Sequence, residues 1–146
     1  MKWFSARRAK KILDDGASQV DEQQLEDTLA ERQKILDKVV QSRRLAPYLN
    51  QASILFQLLQ DYVRGNYREI PWWTLGAVAT ALTYILIPLD AIPDAIPVAG
   101  FIDDVAVLKL CLELVSKDLD SYRRFRDARD SIEEPVRGAD DGKPQA

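Results

Sequence analysis

Hydrophobic positions recur at helical spacing in four stretches of the chain, and these stretches set its expected elements. In "SQVDEQQLEDTLAERQKILDKVV", Ser18 to Val40, the apolar residues Leu25, Leu29, Leu36, Val39 and Val40 follow a helical period. Ser18 and Asp21 stand at its head in capping-box spacing, which predicts one charged amphipathic helix. A second helix is expected from about Pro47, a good first-turn residue, through Leu49, Leu55, Phe56, Leu59 and Val63 to a stop at Gly65. The two should pair as a hairpin hinged near Arg43 to Ala46. The third stretch, "IPWWTLGAVATALTYILIPL" from Ile70 to Leu89, carries no charge at all. Pro71 starts its helix, and Pro88 ends it because the residue before a proline disfavours the α region. In the fourth, Val105, Leu108, Leu112, Val115, Leu119 and Tyr122 form one stripe, with Lys109, Glu113, Ser116 and Asp120 opposite.

The expected fold is all-α, a small helical bundle or pair of helical hairpins. It has an apolar central helix, a proline and aspartate loop and a C-terminal amphipathic helix. Composition divides it into a basic amphipathic segment at 1–16, a charged helical hairpin at 17–69, an apolar hairpin domain at 70–132 and a tail at 133–146. The tail has almost no apolar content and should be disordered.

The uncharged helix is the ambiguous element. Residues 71–87 would extend about 25 Å, just short of a hydrocarbon core of about 30 Å. Gly76, Ala77, Ala79 and Ala81 allow close backbone approach, as membrane helices use it. Trp72, Trp73 and Tyr84 lie near its ends, where an interfacial belt places aromatics. Trp3 and Phe4, followed by Arg7, Arg8, Lys10 and Lys11, make a basic amphipathic start suited to an anionic surface. The competing expectations are a helix buried in a bundle and a frayed basic tail.

Charge and composition remove several functions. A net charge of −3 offers nucleic acid no concentrated basic surface. With no histidine, the commonest general base and most zinc sites are gone. The single Cys111 sits in the apolar stripe with no cationic neighbour to activate it, so it reads as core. No catalytic constellation, cofactor motif or small-molecule substrate emerges, and the expectation is a protein that is not an enzyme.

What remains is "PLDAIPDAIPVAGFIDD", Pro88 to Asp104, which holds four aspartates and no basic residue. Tyr84, Pro88, Asp90, Pro93, Asp94, Pro97, Gly100, Asp103 and Asp104 fit the pattern of a tyrosine-bearing apolar helix followed by a proline and aspartate loop. Over residues 71–110 the chain resembles the mostly bacterial YkvA-like family, domain of unknown function 1232. Ile87 stands where that family often has serine, and Ala91 and Ala95 where larger apolar residues are usual. The resemblance implies membrane association and no known activity.

Three accounts of the aspartates stand together. Asp90 and Asp103 can cap a turn and the final helix. Asp90, Asp94 and Asp103 or Asp104 can converge on a divalent cation, for which oxygen ligands suit magnesium, calcium or manganese. The loop can also be an exposed acidic tip. Basic residues Arg43, Arg44, Arg64 and Arg68 precede the apolar helix, and Lys117, Arg123, Arg124, Arg126 and Arg129 follow the last one. The positive-inside rule then leaves both termini in the cytoplasm. The expected function is non-enzymatic, with a hairpin over 70–115 in or on the bacterial inner membrane and cytoplasmic helices for a protein partner or self-association. The alternative is a cytoplasmic helical bundle with a carboxylate metal site that could serve hydrolysis.

Overall fold

The computed structural model describes the backbone of residues 2–86 and 104–139, and the side chains of 7–86 and 105–131. Every regular element among them is helical: α1 (Lys2–Gln19), α2 (Glu22–Ala30), α3 (Arg32–Gln41), a single 3₁₀ turn (Ala46–Tyr48), α4 (Leu49–Val63), α5 (Trp72–Leu86), α6 (Asp104–Leu114) and α7 (Ser116–Ala139). The chain is therefore all-α, as its periodicity predicts. It divides into two compact units, residues 1–115 and 116–146.

In the first unit α5 is the central element, touched by α1, α2, α3, α4 and α6. Thr74, Leu75, Gly76, Ala77, Val78, Ala79, Ala81, Leu82 and Ile85 are all buried, so the uncharged sequence is explained by enclosure on nearly every side. At 15 residues α5 extends only about 22 Å. No helix among the described residues is long and apolar enough to cross a membrane. The expectation of a transmembrane helix therefore finds no support here, because the apolar surface that would meet lipid is covered by other helices.

α1 supplies the largest part of that cover. Ala9, Leu13 and Ala17 are buried along one face, so the basic N-terminal sequence forms a full helix of the bundle instead of a frayed tail. α1 and α5 approach closely through glycine. A Cβ on Gly76 would come within 2.7 Å of the Ala17 Cα, and one on Gly16 would run into the Thr80 side chain. The small residues of α5 thus admit another backbone, but that backbone belongs to the same chain.

Local chemistry sets the remaining boundaries. Asp21, not Ser18, is the N-cap of α2: its carboxylate accepts from the Gln24 N–H at 3.0 Å while Gln24 Oε1 accepts from the Asp21 N–H at 3.1 Å. The Ser18 hydroxyl instead donates to the Asp15 carbonyl. The helix expected over 18–40 is two helices, broken at Glu31. α4 stops at Gly65, whose φ of 83° is open to glycine at little cost. Beneath this hairpin Ile35, Val39, Ala52, Leu55, Phe56, Leu58 and Leu59 are buried.

The fourth stripe is likewise two helices. α6 ends at Leu114, and α7 continues as the second unit. Cys111 is buried, and loss of hydration pushes its thiol up to about 12, which matches its reading as core. Lys109, Glu113, Ser116 and Asp120 are exposed as expected. Helix α7 runs to Ala139, past Glu133, where composition predicts disorder to begin. Within α7, Phe125 packs beside Tyr122 with ring centroids 6.2 Å apart, and the Arg129 guanidinium lies 5.4 Å from the Phe125 centroid.

Candidate functional site

The two ends of α5 differ in chemistry, and α1 gives them a common orientation. Asp14 meets Trp73, Ala17 meets Gly76, and Gly16 meets Thr80, so α1 and α5 run in the same direction. The N-terminal half of α1 therefore extends beyond the tryptophan end of α5.

At that end the tandem tryptophans part. The Trp73 indole turns inward and donates to Asp14 Oδ1 at 3.0 Å. Asp14 also pairs with Lys10 at 2.7 Å. The hydrogen bond from Lys10, assisted by that from Trp73, holds the Asp14 carboxyl below its usual range against the opposing effect of partial desolvation. Trp72 turns outward and is 37% exposed, one of three large apolar side chains with substantial exposure among the described residues, beside Val40 and Leu114. It meets Tyr62 edge-on at 6.1 Å between centroids, and the Arg68 guanidinium covers Tyr62 at 4.6 Å. Arg64 and Arg68 are exposed in the connection from α4 to α5. The sequence reads both tryptophans as interfacial, and the structure distinguishes them: Trp73 is half-buried and bonded to Asp14, while Trp72 is exposed. Asp14, 59 positions away, was not visible in the sequence as the acceptor that Trp73 finds.

The opposite end holds a pocket of about 400 Å³ between α1, α2 and α5. Ala79, Leu86 and Val20 contribute apolar wall; Gln24, Asp27 and Glu31 supply polar groups from α2, and Thr80, Thr83 and Tyr84 from α5. Thr28 and Thr83 share a hydrogen bond between hydroxyls at 3.2 Å, which ties α2 to α5 across it. Tyr84 is half-buried and lines this pocket. The threonines and the α2 carboxylates were missed in the sequence. The signal was the presence of Thr80 and Thr83 in an otherwise apolar helix.

Of the candidate metal ligands, Asp90, Asp94 and Asp103 lie outside the described residues, as do Pro88, Pro93, Pro97 and Gly100. Asp104 opens α6, but its side chain lies outside the described set, as does that of Trp3. Among the described residues no group of three or more carboxylates or thiols is placed to hold a metal ion.

Most of α5 and of α6 falls within the segment that comparison with known proteins recognises. The profile of the family described as "Protein of unknown function (DUF1232)" matches residues 74–110. The chain is also 45% identical over 71 residues to the "Uncharacterized membrane protein YkvA" of Bacillus subtilis (strain 168), an alignment covering 49% of this chain and 67% of that protein. No solved structure matches it. An identity this high over two thirds of a relative, together with the profile match across α5 and most of α6, shows that the chain belongs to the DUF1232 family.

Proposed function

We propose that this protein is a non-enzymatic helical bundle that attaches to the cytoplasmic face of a bacterial membrane and lies on that surface. The observation that carries this reading is the 45% identity to YkvA, which is named a membrane protein. Lying on the surface is favoured over crossing it because α5, the most apolar described helix, is 15 residues long and enclosed by its neighbours. The exposed, charged faces of α2 and α3 suit a protein partner or self-association. No catalytic group enters the reading.

Fractionation of cells expressing the full chain tests it. The protein should sediment with membranes and be released by high salt or alkaline carbonate, since a peripheral contact rests on surface charge and limited apolar burial. Retention through carbonate would instead put a segment inside the lipid. Recovery of all the protein away from membranes would overturn the attachment itself.

A further inference from the structure

We infer that the tryptophan end of the first unit is the face that meets the membrane, with Trp72, Arg64 and Arg68 as its contacts to anionic phospholipid. The inference rests on the membrane reading above and assigns it a site.

Trp72 is a large amphipathic ring, 37% exposed at the first position of α5. An exposed indole suits the headgroup boundary, where its ring meets the upper acyl region and its N–H remains in a polar layer. Its edge contact with Tyr62, itself covered by Arg68, presets the orientation of an aromatic and basic cluster. A preset side chain loses less rotamer freedom on binding. Arg64 and Arg68 are exposed, and Glu69 is the one acidic residue between Arg64 and Trp72.

α1 adds to the same end. Because Asp14 is level with Trp73 and the helices run in parallel, Arg7 and Arg8 lie about 9 to 10 Å further along the axis than Asp14, beyond the first turn of α5. Both are exposed. Lys10 and Lys11 follow on the same helix and pair with Asp14 at 2.7 Å and Asp15 at 3.2 Å. At the far end the pocket is lined by Asp27 and Glu31 and by no basic residue, with Lys34 pairing with Glu31 at 3.6 Å from outside the lining. An anionic bilayer would attract the tryptophan end more strongly than the pocket end, which favours a single docked orientation. The N-terminus of α5 also points its positive dipole end toward the same surface.

The test is co-sedimentation of the full chain with phosphatidylcholine vesicles and with vesicles containing phosphatidylglycerol, at low and high salt. The wild type should bind the anionic vesicles more tightly, and salt should weaken that binding. The double variant Arg64→Glu/Arg68→Glu should bind roughly tenfold or more weakly, as expected for removing and reversing charge near the surface. Trp72→Ala should also weaken binding, with Trp72→Phe intermediate. The pair Asp27→Asn/Glu31→Gln at the far end should leave it unchanged or slightly stronger. Trp72 and the two arginines are exposed, so each variant should keep the wild-type circular dichroism spectrum, and a folded variant is the one compared. Binding equal to wild type in both the arginine and the Trp72→Ala variants would overturn the assigned face. If those variants also fractionate with cell membranes as the wild type does, attachment stands and only its site is wrong. Failure of the wild type to prefer anionic vesicles would overturn the inference outright.

Discussion

Asp14 shows how one residue changes meaning once its neighbours are known. In the sequence it is one acid after a run of bases, whereas in the structure it accepts from both Lys10 and the Trp73 indole and so joins α1 to α5. Because its carboxyl is held below the usual range, the unfolded chain takes up a proton there first as pH falls. Its contribution is therefore fully present above the unfolded value near 3.8 and is lost as pH falls through the lower folded one. Asp14→Asn keeps an acceptor for the indole but loses the charge. The wild type should melt above this variant at pH 7, and the gap should close as pH falls below 3.8 through the lower folded value. The gap should be small, since Lys10 and Asp14 are 49% and 43% exposed and water screens them. Thermal midpoints across that pH range decide it, and a gap independent of pH would remove charge as its cause. Cys111 shows the reverse case, where sequence context sufficed: an apolar stripe without a cation predicted a buried, unreactive thiol.

At the scale of elements, helix periods were legible and helix breaks less so. The starts and stops governed by a single residue, Pro71 before α5 and Gly65 after α4, fall where expected. The breaks at Glu31 and Val115 were not visible, since neither site carries a glycine or proline and the apolar period continues through both. The α2 cap was one turn from its expected place, because Ser18 and Asp21 have the same spacing as Asp21 and Gln24, and only geometry shows which pair forms the reciprocal bonds. This makes the cap a clean test. Asp21→Ala should lower stability by about 0.5–2 kcal/mol, Asp21→Asn by much less, and Ser18→Ala hardly at all. Urea unfolding of the three variants supplies the measurement, and a larger loss from Ser18→Ala than from Asp21→Ala would contradict the assignment.

For the whole molecule, the decisive result is what surrounds α5. Ala79 is 2% exposed, in the buried wall of the pocket between α1, α2 and α5, so an arginine there crowds that packing and takes a charge out of water. Ala79→Arg should therefore lose its cooperative thermal transition in detergent-free buffer, or melt more than about 10 °C lower. A variant that melts like the wild type and only leaves the membrane would instead place the centre of α5 in lipid. The sequence by itself determined the helical class, the uncharged character and ends of α5, the burial of Cys111 and the family motif, because each depends on local spacing or on a short contiguous pattern. Only the tertiary structure decided that α1 and its neighbours cover α5, and that Trp73 faces Asp14 while Trp72 faces outward. A hydrophobic run has the same composition whether lipid or other helices cover it, and two adjacent indoles are equivalent until a partner 59 residues away selects one of them.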